Sequence, residues 1–188
     1  MMLLGTQAFA QVSVHAGYLN TTAAQETKSV NGHGAYAGLS FNLPVAGGLA
    51  IAPGVYYSMI TSKTSELWGF ASGTLMEHAV NVPVYLNYGI EMNRDTKFFV
   101  FGGPTLQYGL ASSTKHDVSA VGVSGTENNY DNSSYNRMNV YLGGGIGVDV
   151  SGLMVTVGYD YGMMNQYKGD NVPKCHRSNL KIGVGFAF

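Results

Sequence analysis

The sequence predicts an all-β fold, an eight-stranded antiparallel up-and-down transmembrane β-barrel with short periplasmic turns and long extracellular loops. Three observations lead to this fold. Apolar residues alternate with small or polar residues in segments spread along the whole chain. Charged residues make up only 11% of the 188 residues, against about 25% in ordinary soluble domains. The mean hydropathy is only +0.03, and no apolar run approaches the roughly 20 residues of a membrane helix.

The C-terminal segment Leu180–Phe188 shows the alternation most clearly. One face is wholly apolar and ends on Phe188, and the other face carries Lys181 and small residues. A strand that separates lipid from a crowded barrel interior needs this combination of faces. We therefore predict that this segment is the closing strand of the barrel.

Seven further segments repeat the pattern. In chain order the predicted strands are Val12–Asn20, Ala35–Leu43, Leu49–Met59, His78–Tyr88, Phe98–Leu110, Met138–Val150, Leu153–Met163 and Leu180–Phe188. The apolar residues that select these strands are, in the same order, Val12 and Val14; Leu39 and Phe41; Ile51 and Val55; Val82, Val84 and Leu86; Val100 and Leu106; Val140, Leu142 and Ile146; Val155 and Val157; Ile182 and Val184. No charged residue interrupts these faces, as expected when Arg or Lys at mid-membrane costs about 2–4 kcal/mol.

The opposite faces are polar, glycine-rich and aromatic, which suits a barrel lumen. The predicted polar network of the lumen is His15, Arg137, Asp149, Asp160 and Lys181. Asp160 and Lys181 fall on neighbouring strands, and the last strand closes on the strand of His15. Buried charges must pair, so we expect an interior salt bridge that plugs the barrel; a proton-relay or substrate role is the alternative.

The connections alternate in length, which orients the barrel. Those near Pro44–Gly48, Gly89–Lys97 and Ser151–Gly152 are short, and those near Thr21–Gly34, Ile60–Glu77, Ala111–Asn136 and Met164–Asn179 are long. Short turns belong on the periplasmic side of bacterial outer-membrane barrels, so both termini are expected there. This orientation yields two aromatic girdles, which comprise Tyr18, Phe41, Tyr57, Tyr88, Phe98, Tyr108 and Tyr161. Pro53, Pro83 and Pro104 fall inside strands, where we expect bulges or later strand starts.

Composition sets further limits. Residues 1–10 read as the remnant of a signal peptide, with Ala8-Phe9-Ala10 as its cleavage site, and residues 11–188 as the barrel domain. The net charge of −1 gives no electrostatic basis for nucleic-acid binding. The single Cys175 excludes an internal disulfide and a cysteine-rich metal site.

The ordered motifs resemble a known family. They are Asn81-Val82-Pro83-Val84-Tyr85-Leu86-Asn87-Tyr88, Phe101-Gly102-Gly103-Pro104, Gly143-Gly144-Gly145-Ile146-Gly147-Val148, Gly158-Tyr159-Asp160-Tyr161-Gly162 and Gly183-Val184-Gly185-Phe186-Ala187-Phe188. In this order they resemble the small outer-membrane β-barrels of Bacteroidetes-type bacteria, the PorT-like or porin-family β-barrel domain. The resemblance implies an eight-stranded barrel similar to outer-membrane protein X, assembled by the outer-membrane insertion machinery. It also implies that Phe186 and Phe188 act as the assembly signal, and it implies no shared reaction.

Other chemistry has weak support in the sequence. Gly143–Gly147 lacks the helix that a phosphate-binding loop needs. His78, Glu77, Ser58 and Ser62 are the only plausible hydrolase cluster, and Cys175, His176 and His116 have no metal-site spacing. We predict neither a catalytic site nor a cofactor.

The loops offer the best-supported role. Segment Ala111–Asn136 is rich in Ser, Asn, Thr, Gly and Tyr, which suits recognition of an extracellular ligand. The sequence therefore favours a structural or interaction role at the loops. A narrow solute channel is the alternative, and a lipid- or peptide-modifying enzyme comes third. Outer-membrane lipid and lipopolysaccharide are the expected surroundings.

Overall fold

A computed structural model describes residues 11–24, 29–66, 71–118, 123–128, 136–165 and 176–188. These residues form nine strands: β1 (Gln11–Ala24), β2 (Ser29–Ala46), β3 (Leu49–Glu66), β4 (Ala71–Glu91), β5 (Thr96–Val118), β6 (Val123–Asn128), β7 (Met138–Val150), β8 (Leu153–Gly162) and β9 (His176–Ala187). Within these ranges no helix is long and apolar enough to span a membrane. The predicted signal-peptide remnant, residues 1–10, lies outside the described residues.

Eight of the nine strands, all except β6, form a closed antiparallel barrel. Its order is β1-β2-β3-β4-β5-β7-β8-β9, and β9 returns to β1 over the rungs from Ser13↔Ala187 to Ala24↔His176. Strand β6 pairs only with the last part of β5. The predicted fold class is therefore confirmed.

The two ends of the barrel differ, and we name them the turn end and the loop end. The turn end holds Gln11, Phe188 and the three short connections, and the loop end holds the other connections. Two of the short connections have both central residues at positive φ, which are Gly47 (57°) and Gly48 (83°), then Ser151 (52°) and Gly152 (91°). Positive φ at both positions defines the type I′ turn, whose twist matches that of the flanking strands.

Several strands run further toward the loop end than predicted. Strand β4 has 21 residues and starts at Ala71, and β5 has 23 residues and ends at Val118. Much of the predicted connections Ile60–Glu77 and Ala111–Asn136 is therefore strand. A membrane strand needs only about 9–11 residues. Strands β4 and β5 therefore continue beyond the membrane, where their outward faces no longer need to be apolar.

The prediction about the strand prolines is wrong. All three prolines lie within strands, and the register shifts fall elsewhere, between Pro44 and Ala46 and between His78 and Ala79. Between β4 and β5, the rungs stop at Pro83↔Thr105 and resume at Leu86↔Gly102 without a change of register. Proline lacks the N–H that a rung needs, so the ladder skips rungs near it and keeps its alignment.

The outward face forms a continuous apolar belt. Val, Leu and Ile side chains of all eight barrel strands are exposed on it, including Leu86, Val155 and Val184 at 50% or more. The predicted girdle residues also face outward: Tyr18, Phe41, Tyr57, Tyr88, Tyr108 and Tyr161 are exposed, and Phe98 is half-buried. An exposed apolar surface of this extent suits contact with lipid rather than water.

Candidate functional site in the barrel lumen

A lysine-centred cluster lies at mid-barrel. Lys181 Nζ lies 2.6 Å from Asp160 Oδ2 on the neighbouring strand β8. It also donates a hydrogen bond of 2.8 Å to the hydroxyl of Tyr85, which lies 3.1 Å from Thr105 Oγ1. Gly143 makes room for this cluster, because a Cβ there would overlap the Asp160 carboxylate.

A second ion pair lies closer to the loop end. Arg177 donates from Nη1 and Nη2 to Oε1 and Oε2 of Glu77, at 2.8 and 2.9 Å. The two side chains are only 4% and 3% exposed. This parallel two-bond geometry is the strongest arrangement available to arginine and a carboxylate.

Both groups of contacts span the lumen. Glu77 and Tyr85 belong to β4, and Arg177 and Lys181 belong to β9. In the closed order of eight strands, β4 and β9 are four strands apart in either direction. The Glu77–Arg177 and Tyr85–Lys181 contacts, which we call the cross-lumen bridges, therefore join opposite walls of the barrel.

We call Glu77, Arg177 and Tyr141 the loop-side layer. A chain of hydrogen bonds starts at Tyr141 and runs from this layer around the wall. Tyr141 donates to Gln107 at 3.0 Å, Gln107 donates to Asn81 at 3.0 Å, and Asn81 donates to Ser58 at 2.8 Å. These residues lie on β7, β5, β4 and β3, which are consecutive in the barrel. The polar side chains of this chain of hydrogen bonds thus find partners on four of the eight barrel strands, and buried polar groups require such partners.

The lumen on the turn side of Glu77, Arg177 and Tyr141 is more open. It contains a cavity of about 110 Å³, which Tyr36, Tyr56, Phe99 and Phe101 help to line, and a second cavity of about 80 Å³ nearer the turns. Either volume can hold several water molecules. Glu77, Arg177 and Tyr141 line neither cavity, so the loop-side layer lies beyond both.

The structure separates the residues of the predicted lumen network. Asp160 and Lys181 meet, whereas His15 contacts Ser40 Oγ at 2.9 Å in the turn-side half. Asp149 accepts a hydrogen bond from the Gly152 amide at 2.8 Å, so it stabilises the turn at 151–152 instead of joining the network. Arg137 is exposed, because it precedes the first residue of β7 and escapes the alternation of that strand.

The residues considered as a candidate hydrolase cluster do not converge. Glu77 points into the lumen and binds Arg177, and the adjacent His78 points outward and stacks on Tyr57. Successive residues of a strand face opposite sides, so these two side chains cannot act on one substrate. Ser58 lies in the lumen, bonded to Asn81.

The remaining sequence candidates also have simple placements. Gly143–Gly147 continues as strand β7, and a Cβ on Gly145 or Gly147 would overlap the rings of Phe101 or Phe99. These glycines therefore make room for aromatic rings. Of the candidate metal ligands, Cys175 lies outside the described residues, the side chain of His116 is not described, and His176 faces outward.

Sequence reasoning missed the strongest contact of the lumen. Glu77 and Arg177 both fall in predicted connections, at Ile60–Glu77 and Met164–Asn179. One signal was available in the sequence: Arg177, Asn179 and Lys181 alternate along the chain. This polar alternation extends the inward face of β9 to residues that precede the outward apolar stripe.

Comparison with known proteins agrees with this architecture. A family model described as the outer membrane protein β-barrel domain matches residues 6–168, and no curated protein matches the chain. Neisserial surface protein A is 16% identical with a TM-score of 0.54, and the match covers 94% of this chain and 97% of that one. Ail, the attachment invasion locus protein of Yersinia pestis, in complex with the heparin analogue sucrose octasulfate, is 12% identical with a TM-score of 0.51, over 95% and 99%. OprG of Pseudomonas aeruginosa is 11% identical with a TM-score of 0.52, over 95% and 96%. At these identities the structures share the fold alone.

Proposed function

The chain belongs to the outer membrane protein β-barrel family, and from this premise we propose that it is a plugged barrel that acts through its loop end. The observation that carries the proposal is the pair of cross-lumen bridges. A barrel of eight strands leaves an interior just wide enough for side chains to fill. Here the side chains of opposite walls bond to each other across that interior.

The loop end supplies the surface for an interaction role. Strands β3, β4 and β5 have 18, 21 and 23 residues, about twice what a membrane strand needs. Strand β6 adds a hairpin to β5, within the segment whose composition suits recognition. In this proposal the extended hairpins carry a ligand-binding surface outside the cell.

Five further features belong to the same proposal. The turn end and both termini lie in the periplasm, as in other barrels with short periplasmic turns. The chain is a PorT-like barrel similar to outer-membrane protein X, and the outer-membrane insertion machinery assembles it. Its surroundings are outer-membrane lipid and lipopolysaccharide, and it has no enzymatic activity.

A narrow solute channel is the second candidate. The two cavities favour it, because they leave space for water in the lumen on the turn side of Glu77 and Arg177. The loop-side layer opposes it, because a solute would have to break the Glu77–Arg177 pair to pass.

A loop-shortening variant tests the interaction role. Ser113 and Asn128 are rung partners at the base of the β5–β6 hairpin, so Asn-Gly can replace residues 114–127 as a type I′ turn. Intact cells that carry the wild-type chain are expected to bind components of an array of host matrix proteins and glycans. The shortened variant is expected to lose that binding.

Two controls accompany this experiment. Equal amounts of barrel, seen as a band that migrates differently after heating, show that the shortened chain still folds. Cys175, in the connection before β9, should react with a membrane-impermeant maleimide on intact cells, whereas Cys175→Ser/Asn93→Cys should react only after lysis. Undiminished binding by the shortened variant would contradict the role of the hairpin, and the reverse labelling pattern would contradict the orientation.

A further inference from the structure

Three tyrosine–histidine pairs lie on the outer surface of the barrel, near the loop end. They are Tyr18–His33, Tyr57–His78 and Tyr161–His176. Their ring centroids are 6.0, 6.0 and 5.8 Å apart, and the ring planes meet at 26°, 28° and 15°. We call these three stacked pairs the tyrosine–histidine ring.

The three pairs share one geometry. Each lies across a hairpin that closes at the loop end, with tyrosine on the first strand and histidine on the second. The rung partners of the tyrosines are Ala35, Val80 and Ser178, and each histidine lies two residues before that partner. Each histidine is therefore one outward step closer to the loop end than its tyrosine, at the boundary of the apolar belt.

The tyrosines and nearby groups occupy Nδ1 of each imidazole. The hydroxyl of Tyr18 and the amide of Asn20 reach His33 Nδ1, and the Tyr57 hydroxyl lies 2.5 Å from His78 Nδ1. His176 Nδ1 lies 3.1 Å from the Gly162 carbonyl, to which it donates. Within the described part of the chain, no contact engages Nε2 of the three histidines.

These contacts fix what each Nε2 can offer. His33 accepts the Asn20 amide at Nδ1, so the proton of a neutral His33 ring lies on Nε2. The same holds for His78 in the tautomer whose Nδ1 accepts from the Tyr57 hydroxyl. His176 donates from Nδ1, so its Nε2 becomes a donor only when the ring is charged. A protonated ring forms a charge-assisted hydrogen bond, which is stronger than a neutral one.

Among the outward-facing side chains that the structure describes around the histidines, none is acidic. The outward neighbours across the adjacent rungs are Asn20 and Thr61 for His33 and Met59 and Ala111 for His78, and the backbone of His176 pairs with that of Ala24. The fourth loop-end hairpin, between β5 and β7, carries the exposed Arg137 beside outward-facing Tyr108. Among the side chains described at this boundary, the ionisable groups besides the tyrosines are therefore basic.

We propose that the tyrosine–histidine ring binds the phosphate groups of outer-leaflet lipids. A lipid phosphate lies just outside the hydrocarbon layer, which is the level at which the apolar belt ends and the imidazoles begin. Its oxygens accept hydrogen bonds from Nε2. The assignment to the outer leaflet depends on the proposed orientation of the loop end.

Competition between two lipids tests the proposal. The full chain is purified in micelles that contain equal amounts of phosphatidic acid and a phosphate-free galactolipid with the same acyl chains. Native mass spectrometry then counts the bound lipids. We expect the wild-type chain to retain phosphatidic acid over galactolipid by about fivefold or more, because the imidazoles form hydrogen bonds to the phosphate that the galactolipid cannot accept in the same way.

Two variants make the result specific. His33→Gln/His78→Gln/His176→Gln should bring the ratio close to one. His15→Gln is the matched control, because His15 lies in the lumen against Ser40 and away from lipid, and it should keep the wild-type ratio. Heat-dependent gel migration verifies that each variant is folded.

Other results would overturn the proposal. A triple variant that keeps the wild-type ratio, or a wild-type ratio near one, would show that the ring does not bind lipid phosphate. An equal loss in His15→Gln would assign the selectivity to the barrel in general. Maleimide labelling of Cys175 keeps the two proposals apart, since it reports the orientation whatever the lipid ratio.

Discussion

Replacing Glu77 with alanine is expected to destabilise the barrel by about 3–5 kcal/mol. The substitution leaves the Arg177 guanidinium almost fully buried without its carboxylate, and an uncompensated buried charge is far more costly than a lost surface contact. The free energy of unfolding can be measured by urea titration in phospholipid vesicles, with the heat-dependent band as the measure of folded protein.

Three further variants make the Glu77 measurement specific. Glu77→Ala/Arg177→Ala removes both charges, so a double-mutant cycle with the two single variants gives the coupling energy of the pair. Glu91→Ala, at an exposed turn-end position, should stay within about 0.5 kcal/mol of wild type. A loss below about 1 kcal/mol for Glu77→Ala would mean that the pair behaves as if exposed to water.

Changing Phe186 and Phe188 to aspartate is expected to abolish assembly in cells. Both rings lie outside the barrel at the turn end, 47% and 74% exposed, and they pack edge to face with centroids 5.1 Å apart. The substitution removes the terminal aromatic pair that we propose as the assembly signal, and it places two carboxylates at the membrane boundary. The expected readout is loss of the heat-dependent band from outer-membrane fractions.

Two controls distinguish failed assembly from failed folding. Phe186→Tyr/Phe188→Tyr keeps aromatic rings that suit a membrane interface, so normal barrel levels are expected. The aspartate variant should still refold in detergent, where no insertion machinery acts. Wild-type barrel levels of the aspartate variant in cells would contradict the assembly role.

The lipid-facing surface was predictable because lipid imposes one requirement on every strand. Each outward position must be apolar, so alternation alone places Leu86, Val155 and Val184 on the outside. The same reasoning fails beyond the membrane, where the outward face is free to be polar. Strands β4 and β5 continue there without a stripe to mark them, and their ends were predicted as loops.

Contacts in the lumen were only partly predictable. Asp160 and Lys181 lie on neighbouring strands, so the need to pair buried charges brings them together from the sequence. Glu77 and Arg177 lie on opposite walls and 100 residues apart, and no local pattern links them. Asp149 lies apart from the Asp160–Lys181 pair and accepts the turn amide of Gly152, a local contact that the sequence pattern does not reveal. In each tyrosine–histidine pair the two residues lie diagonally across the hairpin, so the pairs can be recognised only when the register of the strands is known.

The electrical conductance of the wild-type chain in planar lipid bilayers tests the closed lumen most directly. The cross-lumen bridges predict no steady current, because Glu77–Arg177 and Tyr85–Lys181 join opposite walls across the interior. The variant Asp160→Ala serves as a second arm, since it removes the carboxylate that holds Lys181. The plugged barrel predicts that this variant loses stability and carries no selective current. A steady wild-type current whose ion selectivity changes in Asp160→Ala would contradict the account and identify the chain as a channel.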